Sequence, residues 1–494
     1  MLIRKFLFVL LVFSLLSCKP NFKTTSHSPK ENLISQIKYL INDPVLANAQ
    51  IGIFIESISD NSVLFKQDEY KLFVPASNQK LYTTAVALEK LGADYKYETR
   101  FFTTGEIQDS SLNGDLFVVG RGDPSISGRF KEKDILAHFK DWADSLKAKG
   151  INTINGALIG NDTFFKGHKL GYGWNWDDEP YWYSAQIGAL SFNENCIDLE
   201  ITPGEKEGEL IKVKTNPITD YVIIENNAIT AAKDSLSTLS IGRARGKNRI
   251  EIKGRLPFAS SLEKKSITIE KPALWFLDTF IKVLNEQGIE VKNGYKLNTA
   301  RVDFETNKKA LFTHFSPEMS ELVKVVNKGS HNFYAEQVFK TLGAEIKKKG
   351  TAKESSKVIM DWLNSNAVTD AHAIIVDGSG LSRMNLVSPY STATLLKEMY
   401  HSENFEPFYY SLPIAGVDGT LKRRMKNSVA QNVVRAKTGY VRYMRSLSGY
   451  TKDRSGNDYL FVIMLNYYSV PTAYVNKLQD KIAILLTEFN PQKN

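Results

Sequence analysis

The chain has 494 residues, 43% of them hydrophobic and 11% aromatic. That is longer than one hydrophobic core usually serves and far too apolar for a disordered chain, so two or three domains are expected. The net charge of +9, from 63 basic and 54 acidic residues, is spread without a long Lys/Arg block, which allows weak attraction to anionic polymers but gives no reason to expect a nucleic-acid partner.

The N-terminus reads as an export signal. Arg4 and Lys5 precede a mostly apolar run, Phe6 to Leu16, that is too short to span a bilayer comfortably. The run ends in Leu15-Leu16-Ser17-Cys18, which resembles the lipobox of bacterial lipoproteins. On that resemblance Cys18 is lipidated, residues 1–18 form the signal peptide, and residues 19–31 form a polar tether. The expected location is the bacterial cell envelope, in the periplasm and lipid-anchored to a membrane. Cys196 is the only other cysteine, so it has no partner for a structural disulfide and is expected to be a small buried hydrophobe.

Glu31 to Ile41 carries apolar residues at helical spacing. Gln50 to Ser57 and Ser62 to Gln67 form a predicted hairpin, as do Tyr443 to Tyr450 and Tyr459 to Tyr467, and a last amphipathic helix runs from about Ala473 to Phe489. Both ends therefore carry a helix and a hairpin, which predicts that they join in one antiparallel sheet. Between Tyr97 and Ile267, short β-like runs alternate with Gly, Asn and Asp turns, and one helix from about Glu132 to Lys149 interrupts them. This stretch reads as an inserted β-rich module. Beyond Pro272 long helical patterns return, at Leu274 to Gln287 and Glu318 to Lys348.

Three short motifs carry chemistry. In Ser77-Asn78-Gln79-Lys80, the serine opens a predicted buried helix, where the helix dipole favours developing negative charge. Lys80 lies one turn on, on the same face, and a buried lysine there can lose its proton near neutral pH and accept the Ser77 proton. In Ser330-His331-Asn332, at a predicted helix entry, Ser330 can relay a proton between Lys80 and a leaving amine, and Asn332 can hold a substrate amide. The same residues would also serve as plain helix caps. Lys437-Thr438-Gly439 ends a predicted strand: Lys437 and Thr438 offer a cation and a hydroxyl to a substrate carboxylate, and Gly439 permits close approach of the backbone. An exposed strand end is the bland alternative.

Taken together and in this order, the motifs are those of penicillin-binding proteins and serine β-lactamases. The gap of 253 residues between Ser77 and Ser330 resembles that of class C low-molecular-weight penicillin-binding proteins, the D-alanyl-D-alanine carboxypeptidase/endopeptidase or penicillin-binding protein 4 family. So do Gly120 to Pro124, Gly173 to Asp178, Ala189 to Asn195, Asp377 to Leu381 with Ser388-Pro389, and Leu412 to Thr420. The resemblance runs from about Leu33 to the C-terminus. It implies an α+β fold: a serine β-lactamase/transpeptidase-like domain, an antiparallel sheet flanked by helices, interrupted by a large β-rich insertion. Residues 32–96 and 268–494 would form the split catalytic domain, and 97–267 the insertion, in one or two subdomains.

On the same resemblance, Ser77 attacks the carbonyl between two D-alanines or at a D-amino-acid cross-link of peptidoglycan, with Lys80 as base. The oxyanion rests on the backbone N–H groups of Ser77 and Tyr440, and Lys80 and Ser330 manage protons as water releases the acyl-enzyme. Asp178, with Tyr183 nearby, would bind the free amine of a diaminopimelate side chain. β-Lactams would act as acylating inhibitors. Two positions depart from the family pattern: His331 stands where Asp is frequent, and Tyr440 stands where a small hydroxyl residue is common, which removes a carboxylate-binding hydroxyl.

A β-lactamase or esterase on the same fold is the alternative enzyme, and a non-catalytic envelope scaffold is the alternative outside enzymes. The seven His form no His-Glu-x-x-His pattern, and no P-loop or dinucleotide fingerprint stands out, so no metal and no cofactor is expected.

Overall fold

The computed structural model describes residues 28–298, 309–366, 368 and 372–492. The signal peptide, Cys18 and the first part of the expected tether lie outside the described residues. The tether was expected to reach residue 31, but a helix already starts at Pro29. Ser28 and Glu31 form a capping box there, which satisfies the first free N–H groups and sets the boundary.

Both ends of the chain meet in a five-stranded antiparallel sheet. Its order is Arg435–Val441, Met444–Lys452, Asp458–Asn466, Gln50–Ser57 and Val63–Gln67. The central strand Asp458–Asn466 explains why its sequence is almost wholly apolar. Phe461, Ile463 and Leu465 face one core, while Leu460, Val462 and Met464 face another. The first core is closed by the terminal helices Pro29–Ile41 and Thr472–Glu488. The second lies under the helices Gln79–Leu91, Met319–Lys328, Asn332–Ile346 and Pro389–His401.

The predicted helical run Glu318 to Lys348 is two helices, broken at Gly329-Ser330-His331. Ser330 sits there in the left-handed region, at φ 55°, a conformation that costs a non-glycine residue about 1–2 kcal/mol. The break brings Ser330 Oγ within 2.9 Å of Lys437 Nζ on the sheet edge.

The intervening chain has its own core. A mixed sheet orders Tyr295–Asn298, Leu158–Asn161, Leu116–Val119, Glu98–Thr103 and Phe312–Phe315. Two three-stranded sheets follow within residues 196–268. The insertion was expected to end at 267; helix Pro272–Glu286 also packs on its core and strand Phe312–Phe315 pairs with its strand Glu98–Thr103. Helix Pro272–Glu286 places Trp275, Phe276 and Phe280 in the insertion's core, against Phe101, Phe139 and Trp142. Its amphipathic pattern marks it as a helix but does not say which core it faces, and pairing of Phe312–Phe315 with Glu98–Thr103 closes the module. Cys196 is free and buried, as expected for a small hydrophobe. Among the described residues no helix is long and apolar enough to cross a membrane.

Candidate active site

Ser77 lies in a single 3-10 turn, Ala76–Asn78, that leads directly into the helix Gln79–Leu91. The turn is pinned to the sheet from two sides. Ser446 Oγ donates to Pro75 O at 2.6 Å, and Asn78 Nδ2 donates to Ser448 Oγ at 2.6 Å. Ala76 is held at φ 49°, a second strained backbone position beside the nucleophile candidate. Its neighbours are buried, but Ser77 itself is half exposed.

Lys80 is fully buried. Its Nζ lies 3.1 Å from Ser77 Oγ, 2.7 Å from Asn332 Oδ1 and 2.6 Å from Ser379 O. Burial drives its pKa down to about 7, although Asp377 and Glu336 oppose the shift. A lysine of that kind is neutral in a large share of molecules at physiological pH and can accept the proton of a hydroxyl 3.1 Å away.

Asp377 and Glu336 are site residues that the sequence reading did not single out. Glu336, one turn past Asn332 on the same helix, accepts from the N–H groups of Gly378 and Ser379 at 3.1 and 2.8 Å. Asp377 accepts from Gly380 N, Ser382 N, Asn385 Nδ2 and Trp174 Nε1. Together they fold the loop so that Ser379 O faces Lys80. Burial and the Asp377 charge push the Glu336 carboxyl well above the usual range. Gly380 closes the loop at φ 78°, where an added Cβ would lie 1.8 Å from Ala76 O. The Asp377 to Leu381 segment had been noted only for resemblance, and no local pattern marks either carboxylate as a support for Lys80.

Ser330 and Lys437 meet: Lys437 Nζ donates to Ser330 Oγ at 2.9 Å and to Thr438 O at 2.8 Å. Ser330 therefore has Lys437, not Lys80, as its hydrogen-bond partner. Lys437 is fully buried, and burial with the Lys80 and Arg445 charges lowers its pKa well below the ordinary value. Asn332 uses both ends of its amide, accepting from Lys80 and donating to Tyr183 O at 2.9 Å.

Lys437-Thr438-Gly439 lies inside the edge strand Arg435–Val441 and not at its end. Gly439 does allow a close approach, but to the Ser77 turn: a Cβ there would lie 2.6 Å from Pro75 O and 2.0 Å from Ser446 Oγ. Ala436 N–H donates outward to Pro413 O at 3.0 Å. The two-residue alternation of an antiparallel strand turns the Tyr440 N–H to the same open edge. The Tyr440 side chain is exposed, with the Arg445 guanidinium 5.2 Å from its ring. Thr438 Oγ1 donates to Thr420 Oγ1 at 2.8 Å, so a second hydroxyl stands beside the motif even though position 440 lacks one. Asp178 and Tyr183 also come together, with Tyr183 Oη donating to Asp178 Oδ1 at 2.8 Å. The Tyr183 backbone joins them to Asn332.

A serine beside a buried near-neutral lysine, with Ser330, Asn332 and Lys437 across a sheet edge, is the arrangement of the penicillin-recognising serine acyl-transfer enzymes. The chain belongs to the D-Ala-D-Ala carboxypeptidase 3 (S13) family, which matches residues 33–489, and is accordingly a serine-type hydrolase. It is 33% identical over 497 residues to the D-alanyl-D-alanine carboxypeptidase of Actinomadura sp. (strain R39), covering 97% of this chain and 89% of that protein. Among solved structures, penicillin binding protein 4 of Haemophilus influenzae superposes with a TM-score of 0.80 at 23% identity, covering 93% of this chain and 100% of that one. The same protein complexed with a β-lactam gives a TM-score of 0.74 at 23% identity, over 91% of this chain and 98% of that one.

Proposed function

We propose that the chain hydrolyses the terminal D-Ala–D-Ala bond of peptidoglycan stem peptides, and D-amino-acid cross-links, through an acyl-enzyme on Ser77. The observation that carries this reading is Lys80 Nζ, fully buried and 3.1 Å from Ser77 Oγ, where burial pushes its pKa down to about 7. Lys80 takes the Ser77 proton as Oγ attacks the carbonyl carbon of the penultimate residue. The oxyanion is held by the N–H groups of Ser77 and Tyr440. The C–N bond then breaks as the proton that Lys80 took from Ser77 is relayed through Ser330, seated against Lys437, to the leaving amine of the terminal D-alanine, so that Lys80 is neutral again and Ser330 keeps its hydroxyl proton. Water attacks the ester with Lys80 as base, releasing the shortened peptide and restoring Ser77. Lys437, whose pKa burial lowers first and its cationic neighbours lower further, gains from a nearby substrate carboxylate, which offsets their charge. Thr438 and Thr420 supply the hydroxyls on the same side. β-Lactams enter by the same attack, in keeping with the β-lactam complex of the H. influenzae protein.

Asp178, half-buried beside Tyr183, is the proposed receptor for a free amine on the substrate's side chain. Asp178→Asn is expected to raise KM about tenfold for a stem pentapeptide carrying diaminopimelate, about the worth of one charge-assisted hydrogen bond. It should leave KM nearly unchanged for a peptide whose third residue has no such amine. Equal effects on both peptides, read as D-alanine release, would remove Asp178 from substrate recognition.

The residues from about 32 to 96 and from 316 onward form the proposed catalytic domain. Lipidation of Cys18 is proposed from the lipobox-like Leu15 to Cys18, placing the enzyme on the periplasmic face of a membrane. Cys18→Ser should move the protein from the membrane to the soluble fraction; a variant that stays membrane-bound would exclude the anchor.

A further inference from the structure

The helix Asn332–Ile346, which carries Asn332 at its first position, is seated on the insertion along its length. Gln337 Nε2 donates to Gly188 O at 2.9 Å, and Lys340 Nζ donates to Lys166 O at 2.8 Å. At its N-terminal end the contact passes to a carboxylate and reaches the catalytic motif. His331 Nε2 lies 2.8 Å from Glu194 Oε2. The other oxygen, Glu194 Oε1, accepts from Arg129 Nε and Nη2 at 3.0 and 2.6 Å. Although burial opposes it, His331 and Arg129 draw the Glu194 carboxyl down to about 2.

Glu194 is aimed by an unusual backbone. Asn193, Glu194 and Asn195 are three successive left-handed residues, at φ 48°, 57° and 56°. A run of that kind persists only where its surroundings over-determine it. Here the flanking amides do so: Asn193 Nδ2 donates to Cys196 O and Asp198 Oδ2, and Asn195 Nδ2 donates to Gln186 O and Ser191 Oγ. The His331 ring is closed in by Trp182 and Tyr334, at 5.3 and 5.0 Å between ring centroids.

We infer that Glu194, from the insertion, is a positioning residue for the Ser330-His331-Asn332 turn. The turn is strained at Ser330, and its two side-chain tethers to the insertion are adjacent: His331 to Glu194, and Asn332 to Tyr183 O. Asn332 in turn grips Lys80, so the chain of contacts runs from the insertion to the Ser77 base. Freeing His331 lets the turn relax, loosening both Asn332 on Lys80 and Ser330 on Lys437. This gives the insertion a part in catalysis and gives His331, the departure from the family's frequent Asp, a partner matched to it.

The inference rests on the acyl-transfer reading of that turn, and a double-mutant cycle on the full-length protein tests it separately. Glu194→Ala and His331→Ala should each slow acylation by a fluorescent penicillin 10- to 100-fold, and the double variant should be no slower than the slower single. In D-alanine release, kcat should fall with KM changed less than threefold, at an unfolding temperature within a few degrees of wild type. If the alanine variants do not fold, Glu194→Asp keeps the charge beside Arg129 but is one methylene too short for His331, and should show the same loss. Losses that multiply in the double variant, or a Glu194→Asp or Glu194→Ala rate within threefold of wild type, would overturn the inference. A wild-type protein that neither acylates nor releases D-alanine would instead overturn the acyl-transfer reading.

Discussion

Ser77→Ala is expected to abolish acylation by penicillin and to lower D-alanine release by at least about 10⁴-fold, the scale on which removing a serine nucleophile acts in other hydrolases. The fold should survive. Among the described residues Ser77 Oγ has one hydrogen bond, to Lys80, worth about 0.5–1.5 kcal/mol net, and the turn around it is held by Ser446 and Asn78 instead. Loss of activity with an unchanged unfolding transition therefore separates chemistry from folding. A Ser77→Ala protein that still forms a covalent penicillin adduct would place the nucleophile elsewhere.

Lys80→Met should cost about 10²–10⁴-fold in acylation rate, the usual worth of a general base. Methionine matches the length and fills the space, so what is lost is the proton acceptor and the donor to Asn332 Oδ1 and Ser379 O. The pH profile carries the sharper signature. Only neutral Lys80 can take the Ser77 proton, and burial brings its pKa down to about 7. The wild-type acylation rate should therefore rise with pH through about 7 and level off above it. In Lys80→Met that rise should vanish, leaving a low rate without the step near 7. A wild-type rate that falls as pH rises through 7, or a step retained in Lys80→Met, would give the base role to another group.

The joining of the two chain ends was legible because it rests on local signals. Hairpins announce themselves by turn residues and strand patterning, and the central strand Asp458–Asn466 is apolar enough to require two covering layers. The closeness of Ser77 and Lys80 was legible for a similar reason, since a helical turn brings residues three apart onto one face, here a 3-10 turn leading into the helix. What escaped depends on which surfaces meet. Helix Pro272–Glu286 has the same pattern whichever core receives it, so its packing on the insertion's core was not legible. Glu336 holding the Ser379 loop, Thr420 beside Thr438, and Glu194 on His331 join residues far apart in the chain or on separate elements. No short window shows these pairings, although Glu194 and Thr420 lie in segments that carry the family resemblance. The Tyr440 position shows both sides: the missing hydroxyl was visible in the sequence, but the Thr420 hydroxyl beside the motif was not.

Brief exposure of the purified full-length protein to a fluorescent penicillin, followed by proteolysis and mass spectrometry of the labelled peptide, reads the central claim most directly. One adduct is expected, on Ser77, persisting over many minutes because the opened β-lactam leaves slowly. An adduct on any other residue, no adduct with the penicillin intact, or rapid penicillin hydrolysis with no adduct accumulating would each contradict a Ser77 acyl-enzyme of the D-alanyl-D-alanine carboxypeptidase kind.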